Sequence, residues 1–366
     1  MNDIEFSIDD LTYKNILKIK SEAGFEKKSW NEWFQHISKR LISTNNNIEN
    51  VATEFFIKKD FELWVKNFTI NLENIWKEKS AKNIEDVFEN VNELKDNSAI
   101  VIGRGPSLIK NNHLKLLAES SFKGSIICTD GVLKTALESG VTPEKFSKFY
   151  VVTIDAYKEI KELYDSEIVL KYGKQIKGIF STFSHPDAVE KARNSGINIH
   201  WVHPLFDLQE GRKSFNNIAG LMVKIKHTNG LPAIQTGGNC GTSSWFVAWR
   251  ILKCKTVCLI GIDHGWTTED SIKRIISHGF AYDSTNINEN DPNFEKLFPK
   301  IFNPEFNTFC ILDPIFQYYS NALKEFISRS PKEIVTINAT EGGSIFGKKI
   351  ICKQFKDFLI NFKDNI

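Results

Sequence analysis

The sequence predicts an α/β fold: a doubly wound, mainly parallel Rossmann-like sheet with a helical N-terminal region. Residues 1–95 contain almost no Gly or Pro and carry apolar side chains at helical spacing. From Ser98 onward, short runs rich in β-branched residues alternate with amphipathic stretches of helical period. These runs are apolar throughout, which is typical of parallel strands that helices cover on both faces.

Composition excludes several classes of protein. The chain has 366 residues, 47 Lys and Arg against 45 Asp and Glu, and a formal net charge of +2. This charge gives no reason to expect nucleic-acid binding, and a hydrophobic content of 41% is too high for a disordered chain. No run approaches the roughly 18 apolar residues that span a bilayer, and no signal-peptide pattern opens the chain. Because the six cysteines are scattered, we expect reduced thiols and a cytoplasmic protein.

Two aromatic stripes predict helices within residues 1–95. One stripe contains Trp30, Trp33, Phe34, Ile37 and Leu41, and the other contains Phe61, Trp64, Val65 and Phe68. Either stripe could dock a partner, but packing between helices is the favoured interpretation. We therefore divide the chain into a helical region, residues 1–95, and a Rossmann-like domain, residues 96–366.

The Rossmann-like domain has an alternating series of predicted elements. The predicted strands are Ala99–Gly103, Ser125–Thr129, Phe149–Ile154, Gly178–Thr182, Ile197–Val202, Thr256–Ile262 and Glu333–Ile337. The predicted helices are Asn112–Glu119, Val132–Ser139, Pro186–Asn194, Thr242–Leu252, Pro314–Ser328 and Lys353–Phe362. Residues 204–236 and 264–308 do not fit the alternation. Because loops longer than about 15 residues are often functional, we predict that residues 264–308 form a lid insertion.

The first predicted strand runs into the segment Gly103-Arg104-Gly105-Pro106-Ser107-Leu108. Glycines let the backbone approach a ligand closely, and the following helix start suits a phosphate. Arg104 and Ser107 could add hydrogen bonds to that phosphate. Leu108 replaces the third glycine of the dinucleotide fingerprint, and no Walker lysine follows, so neither motif is present. A strand-to-helix turn without a ligand remains the alternative.

Asp or His follows five successive predicted strands. These residues and their neighbours are Asp130, Asp155, Ser184 with His185, His203, and Asp263 with His264. Carboxyl ends of parallel strands meet at one edge of a sheet, so we expect a single polar crevice there. For Asp130 and Asp155 taken singly, a helix N-cap is the commoner role.

Two further segments are rich in Gly and hydroxyl groups. One precedes the sixth predicted strand and contains Gly237, Gly238, Asn239, Gly241, Thr242 and Ser243. We expect it to begin a helix whose N-terminus binds an anion or a sugar. The other follows the last strand and contains Asn338 and Glu341.

The sequence gives no firm prediction of a bound metal ion. Cys254 and Cys258 have no second pair that would complete a zinc site. Asp130, Asp155 and Asp263 could bind Mg²⁺ through the phosphates of a substrate. A serine hydrolase is excluded because no G-x-S-x-G segment joins a strand to a helix.

The order of these motifs resembles the MptE-like superfamily, formerly a domain of unknown function. The motifs are IVIGRGPSL, TDGVLKTALESGVTPEKF, STFSHP, GGNCGTSSWFVAWRILKCKTVCLIGIDHGW and NATEGGSIFG. That superfamily is similar to the archaeal 6-hydroxymethylpterin diphosphokinases and to the motility-associated factor (Maf) proteins, which resemble glycosyltransferases. NATEGGSIFG and the SHP segment look more like the Maf branch. The GxGPSL and Gly-Ile-Asp segments are also similar to a bacterial sialyltransferase family that uses a CMP-activated sugar.

The resemblance covers residues 98 to about 358 and implies a nucleotide-dependent transferase in the domain at residues 96–366. Our first hypothesis is transfer of a nonulosonic or sialic-acid-like sugar from a CMP-sugar donor to a glycan or protein acceptor. The second is transfer of a diphosphate from ATP to a hydroxymethylpterin, with Mg²⁺. The third is a non-catalytic nucleotide-binding scaffold.

The resemblance also assigns roles to residues. The loop Gly103–Ser107 and the turn Gly238–Ser243 would contact the nucleotide, and the donor pocket would be lined by Asp130, Asp155 and Asp263. We expect the two glycine-bearing bends to converge on one anionic small molecule. We also expect Gly105→Val to abolish nucleotide binding at little cost in stability, because Gly105 would admit the ligand.

Both enzymatic hypotheses need a base for the acceptor hydroxyl. The candidates are His264 and His278, with Asp263 as orienting group or as the base itself. The sialyltransferases carry their base His after the Gly-Ile-Asp strand, and neither His here stands in the matching position. The expected substrate-binding residues are Ser184, His185, His203, Asn338 and Glu341.

Overall fold

The computed structural model describes residues 48–84, 97–206, 214–279 and 294–360, together with Tyr13, Leu17, Lys20, Ser29, Trp30, Glu32 and Asn290. Contacts divide the chain into two units, Met1–Val51 and Ala52–Ile366. In the first unit, the Lys20 ammonium lies 5.0 Å from the centre of the Trp30 ring. The other members of the first aromatic stripe, Trp33, Phe34, Ile37 and Leu41, lie outside the described residues.

The second unit is built on a parallel sheet. Its strands are β1 (Lys79–Ser80), β2 (Ser98–Ile102), β3 (Ser125–Thr129), β4 (Phe149–Thr153), β5 (Lys177–Ser181), β6 (Asn198–Pro204), β7 (Ala233–Ile234), β8 (Thr256–Ile260), β11 (Val335–Asn338) and β12 (Ile350–Cys352). Their order is β1-β6-β5-β4-β3-β2-β8-β11-β12, and β7 pairs with β6. Strands β9 (Lys300–Asn303) and β10 (Thr308–Ile311) form a separate antiparallel pair.

Helices connect these strands. They are α1 (Ile48–Lys77), α2 (Ser107–Lys110), α3 (His113–Ala118), α4 (Leu133–Glu138), α5 (Glu167–Tyr172), α6 (Pro186–Asn194), α7 (Phe215–Lys224), α8 (Cys240–Phe246), α9 (Ile272–Gly279), α10 (Phe294–Leu297), α11 (Pro314–Arg329) and α12 (Phe355–Ile360). A π-helical turn, Val247–Ile251, follows α8 directly. Within the described part of the chain, no helix is both long and apolar enough to cross a bilayer.

The predicted doubly wound, mainly parallel sheet is confirmed. Every strand and helix predicted from the alternation is present, and the ends differ by two residues at most when α8 and the π-helical turn are taken together. The predicted end of the last helix, Phe362, lies outside the described residues. Alternate residues of β2 explain why the strands are apolar throughout. Ile100 and Ile102 belong to one core cluster, whereas Ala99 and Val101 belong to the cluster on the opposite face. Because both faces are covered, neither set can be polar.

Helix α1 belongs to the same unit as the sheet. Its Phe68, Leu72 and Ile75 are buried in the core cluster of one sheet face. The amide of Asn67, also buried, donates to the carbonyls of Ala156 and Phe183, both at 2.9 Å. The boundary between the two units therefore falls after Val51, which differs from the division at residues 95 and 96 that composition predicts.

The strand order reverses direction at one place. From β2 the chain moves outward through β3, β4, β5 and β6, and it later returns to the other side of β2 with β8 and β11. In open α/β sheets the loops diverge at such a point and leave a crevice beyond the carboxyl ends of the strands. The loops after β2 and β8 therefore occupy the place where a ligand is expected.

The predicted lid insertion contains regular structure. Residues 264–308 include α9, α10, β9 and the start of β10, and Trp266 forms an isolated antiparallel bridge with Ile311. Residues 280–289 and 291–293 lie outside the described residues. The lid function stays a prediction.

Replacing Asn67 with leucine tests the attachment of α1. The variant leaves two buried carbonyls without a donor, so we expect the free energy of unfolding to fall by about 2–5 kcal/mol. Urea denaturation measures the change. The exposed Thr69 on the same helix supplies the control, because Thr69→Ala should change stability by less than about 0.5 kcal/mol. Equal stabilities for the two variants would contradict this account.

Candidate functional site

The loop after β2 is bonded to the end of β8. The Gly103 N–H donates to the carbonyl of Ile260 at 2.9 Å. The Gly105 N–H donates to the carbonyl of Gly261 at 2.8 Å. These N–H groups were expected to contact a phosphate, but the fold already uses them to join the two halves of the sheet.

Ser107 extends this junction through side chains. Its hydroxyl donates to Oδ2 of Asp263 at 2.8 Å, and its backbone N–H lies 3.3 Å from Oδ1 of the same carboxylate. Asp263 is only 6% exposed. Burial raises its pKa to about 7, although both Ser107 bonds act in the opposite direction. Near neutral pH this carboxyl group can therefore gain or lose a proton.

Gly105 is required for packing and not for ligand approach. A Cβ atom at this position would lie 1.8 Å from Oδ2 of Asp263 and 2.7 Å from the carbonyl oxygen of Gly261. The latter atom belongs to the backbone and cannot move aside. The expectation that Gly105→Val leaves stability almost unchanged is therefore wrong.

Asp130 is the first residue after β3, and it is buried. Its Oδ1 accepts a hydrogen bond from the Gly131 N–H at 2.7 Å. Its Oδ2 is buried and makes no hydrogen bond of good geometry among the described residues, although the Thr153 side chain lies near enough to lower the pKa of Asp130. Burial, with the charge of Asp155, raises the pKa of Asp130 to about 7, while Arg104 lowers it. An unpartnered buried oxygen is costly, so Asp130 is a group that a ligand could satisfy.

Arg104 and Asp155 lie on the open side of Asp130. Both have exposed side chains. The Arg104 guanidinium lies beside Gly131, with Nη1 3.4 Å from the position of a Cβ on that glycine. Desolvation by the surrounding protein is the main cause of the raised pKa of Asp155, the Asp60 carboxylate raises it further, and Arg104 opposes both.

Asp60 on α1 contributes to this crevice, and the sequence prediction did not include it. Its side chain is buried and accepts a hydrogen bond from the Tyr157 hydroxyl at 2.7 Å. A buried Asp in an amphipathic helix was the available signal, because such residues are rarely buried unless they have a partner. We define the crevice residues as Arg104, Asp130 and Asp155, with Asp60 behind them.

The second glycine-bearing turn begins α8. Asn239 caps this helix: its Oδ1 accepts from the Thr242 N–H at 2.8 Å, and its amide donates to the carbonyl of Gly237. Gly238 packs against the tyrosines of α11, and Ser243 is fully buried. These residues, which were expected to contact a ligand, therefore stabilise the start of α8.

Cys240, which belongs to this turn, lies beside the crevice. Its thiol donates to the carbonyl of Val152 at the end of β4, 2.9 Å away. Burial is the main cause of its raised pKa, and Asp130 adds to it. The two glycine-bearing bends are neighbours, but Ile262 fills the space between them, so the expectation that they converge on one anionic small molecule is wrong. Its Cδ1 would lie 2.4 Å from a Cβ on Gly103 and 2.9 Å from one on Gly241.

The two predicted histidines lie in different surroundings, and neither lines the cleft next to Asp263. His264 is buried, and burial together with Lys324 lowers its pKa to about 3. His278 bonds through Nδ1 to Asp313, which also accepts from Trp266 Nε1 at 2.7 Å. Its ring stacks on an aromatic residue of α11. Of the three catalytic candidates, Asp263 is the one that lines an open cleft, and burial raises its pKa to about 7.

Four of the expected substrate-binding residues hold the fold together. Ser184 is buried and donates to a carbonyl of β4, and His185 caps α6. His203 is buried and bonds through both ring nitrogens. Asn338 is buried and spans its own loop, donating to one backbone carbonyl and accepting one N–H. Their polar atoms are thus occupied by the protein itself.

A cleft of about 230 Å³ lies beyond the ends of β8 and β11. Its lining residues are Ser107, Lys110, Asn111, Asp263, Gly265, Trp266, Thr267, Thr268, Glu269, Thr308, Phe309, Cys310, Glu341, Gly342 and Gly343. We call this space the threonine cleft. Its lining contains three of the predicted site residues, Ser107, Asp263 and Glu341, whereas Arg104, Asp130 and Asp155 of the crevice are not part of it.

Metal binding by the protein alone lacks support. Among the described residues, no group of three or more His, Cys, Asp and Glu side chains has the arrangement of a metal site. A Mg²⁺ ion that binds mainly through phosphates needs only one or two carboxylates. The unpartnered Oδ2 of Asp130 fits that smaller requirement.

The chain matches one family model and is similar in fold to a solved structure. The family model described as 6-hydroxymethylpterin diphosphokinase MptE-like matches residues 66–269, from α1 to just beyond Asp263. No curated protein sequence matches the chain. Among solved structures, the fold is similar to the MAf glycosyltransferase from Magnetospirillum magneticum AMB-1, with a TM-score of 0.49 and 14% identity. The likeness covers 80% of this chain and 41% of that chain, so the matched part is less than half of that protein.

Gly105→Ala should destabilise the protein by about 2–4 kcal/mol, because its methyl group collides with Asp263 and with the backbone of Gly261. Thermal and urea unfolding measure the loss. Gly131→Ala is the matched control beside the crevice, since its Cβ would meet Arg104 at an ordinary 3.4 Å. If both variants were equally stable, the loop would be more open than this geometry allows.

Asp263→Asn should make stability less dependent on pH. In the folded protein the pKa of Asp263 is raised to about 7, so its contribution is present at low pH and is lost as pH rises through that value. We expect the variant to gain about 2–4 kcal/mol relative to the natural chain between pH 5 and pH 8. Urea denaturation at the two pH values measures this difference. Parallel changes would mean that Asp263 titrates as an ordinary carboxyl group.

Proposed function

The chain belongs to the 6-hydroxymethylpterin diphosphokinase MptE-like family, and from this premise we propose that it is a nucleotide-dependent transferase. We propose that it moves a nonulosonic or sialic-acid-like sugar from a CMP-activated donor to an acceptor hydroxyl. One observation carries the proposal: Arg104, Asp130 and Asp155 come from three consecutive strand ends and meet beside the switch point.

The crevice residues suit a nucleotide monophosphate group. The exposed guanidinium of Arg104 supplies a charge-assisted hydrogen bond to the phosphate. Asp130, whose pKa is near 7, can either accept a hydrogen bond from a ribose hydroxyl or donate one to a base. These contacts would also satisfy its unpartnered oxygen.

Asp263 is the base in this proposal. It stands between the crevice and the threonine cleft, next to the loop that carries Arg104. The acceptor oxygen attacks the anomeric carbon of the donor sugar, and the bond from that carbon to the phosphate oxygen breaks. The phosphate keeps the electron pair and leaves as CMP, stabilised by Arg104. The acceptor proton passes to the Asp263 carboxylate, whose pKa near 7 suits this exchange at neutral pH.

Diphosphate transfer from ATP is the second candidate, and the pair Asp130 and Asp155 favours it. Two carboxylates beside Arg104 could bind Mg²⁺ together with the donor phosphates. A bound Mg²⁺ would neutralise phosphate charge. The hydroxymethyl oxygen of a pterin would then attack the β-phosphorus, AMP would leave with the bridging oxygen, and Asp263 would take the proton.

Calorimetric titration with CMP, CDP and ATP, each with and without Mg²⁺, tests nucleotide binding. We expect Arg104→Gln to weaken the binding of the preferred nucleotide at least about tenfold, or 1.4 kcal/mol, without a change in melting temperature. Arg329→Gln is the control, because Arg329 is exposed on α11 and pairs only with a neighbour on its own helix. Absence of binding by all three nucleotides would reject the proposal.

Product analysis by mass spectrometry separates the candidates. Release of CMP with a glycosylated acceptor supports the first, and formation of AMP with a pterin diphosphate supports the second. Nucleotide binding without either product would favour a non-catalytic scaffold.

A further inference from the structure

The threonine cleft carries an uncompensated negative charge. Its charged lining residues are Lys110, Asp263, Glu269 and Glu341. Lys110 faces Glu269 at 3.9 Å, and both side chains are largely exposed. Because the opposite charges of that pair cancel, the net negative charge of the lining comes from Asp263 and Glu341.

Glu341 is fixed in place by the protein around it. It has a left-handed backbone with φ of 59°, which is uncommon for a residue with a side chain. Its Oε1 accepts a hydrogen bond from the Phe355 N–H at 2.9 Å and lies 3.2 Å from Nε2 of His113. Both contacts involve Oε1, so Oε2 is the oxygen available to a ligand.

His113 supports Glu341 without neutralising it. The imidazole is fully buried under Phe355, and its Nδ1 has no hydrogen-bond partner among the described residues. Burial lowers the pKa of His113, although Glu341 opposes this effect. Burial favours the neutral imidazole, which donates through Nε2 to the Glu341 carboxylate.

The loop that carries Glu341 is bonded to the Asp263 segment. The Ser344 N–H donates to the carbonyl of Asp263 at 2.9 Å. Gly343 lies so close that a Cβ there would be 2.4 Å from the same carbonyl oxygen. The two carboxylates therefore line the same cleft from segments that are bonded to each other.

The remaining lining is suited to hydroxyl groups. Thr267, Thr268 and Thr308 carry hydroxyls, of which that of Thr267 already donates to Asp270 at 2.9 Å, and Trp266 and Phe309 contribute aromatic surface. Oγ1 of Thr308 is buried and has no partner among the described residues. Aromatic surface beside a few convergent polar groups is the usual lining of a small-molecule site.

We propose that the threonine cleft is the acceptor subsite and that it takes a polyhydroxylated acceptor without negative charge, neutral or amine-bearing, recognised by Glu341. This proposal rests on the proposed function, in which Asp263 receives the acceptor proton. An anionic acceptor would bring a third carboxylate beside Asp263 and Glu341, and like charges in a desolvated cleft repel. Glu341 and Thr308 lie outside the stretch that the family model matches.

A matched series of three sugars tests the charge preference. Galactose, galactosamine and galacturonate share one ring and carry no charge, a partly protonated amine and a carboxylate, and their dissociation constants can be measured by NMR titration at about pH 7.5, where Asp263 is mainly ionised. We expect galacturonate to bind at least about tenfold more weakly than galactosamine. In Glu341→Gln this ratio should fall to about threefold or less, because one of the two charges is gone.

A variant whose new side chain fills the threonine cleft tests whether the three sugars bind there. A Cβ on Gly342 would meet only Thr308 Oγ1, 4.0 Å away, so Gly342→Val should fold and block the three sugars. Gly220→Val is the control, because nothing lies within 4 Å of a Cβ there. Circular dichroism checks that both variants are folded.

Each outcome decides the matter. Galacturonate binding as tight as galactosamine binding, no sugar binding at all, or unchanged binding in folded Gly342→Val would overturn the proposal. The CMP titration is run on the same variants. Normal CMP binding with failed sugar binding would reject the acceptor subsite and leave the proposed function standing, whereas sugar binding without nucleotide binding would reject the proposed function.

Discussion

The bond between Ser107 and Asp263 is the contact on which the site depends. Ser107 follows β2 and Asp263 follows β8, so their 2.8 Å hydrogen bond joins the two halves of the sheet where the strand order reverses. The same contact keeps Asp263 buried, and burial places its pKa near 7. Because Gly105 must lie against this carboxylate, the loop that carries Arg104 has little freedom. One junction therefore fixes the position of the crevice, the position of the threonine cleft and the acidity of the group between them.

Helix α1 connects this site to a part of the chain that composition alone assigns elsewhere. Its buried amides hold the loops after β4 and β5 from behind, and its Asp60 stands next to Asp155. A helix that provides both core packing and a charge at the crevice cannot be removed without changing the electrostatics of the site. The family match begins inside α1, at residue 66, so it includes Asn67 but not Asp60.

Much of the fold could be predicted from the sequence, because each central strand must be apolar on both faces and such runs are easily recognised. Two strands that the sequence did not predict, β1 and β7, have two residues each. Both form by pairing with β6. Prediction of the site was less complete for a related reason. An Asp or Asn near a strand end has the same sequence pattern whether it lies in a crevice, as Asp130 does, or caps a helix, as Asn239 does. The support of Glu341 by His113 joins segments that are 228 positions apart, and no local pattern could reveal it.

The placement of Cys240 has a consequence for the chemistry of the crevice. Its sulfur lies beside the end of β4, and burial with the charge of Asp130 keeps it as a neutral thiol. Thiolates attack electrophilic carbon and phosphorus readily, but protonated thiols do so slowly. An activated donor held at Arg104 would therefore sit next to a sulfur atom that does not compete for it. The same protonation slows oxidation to a sulfenic acid, so the crevice keeps its shape in the presence of peroxide.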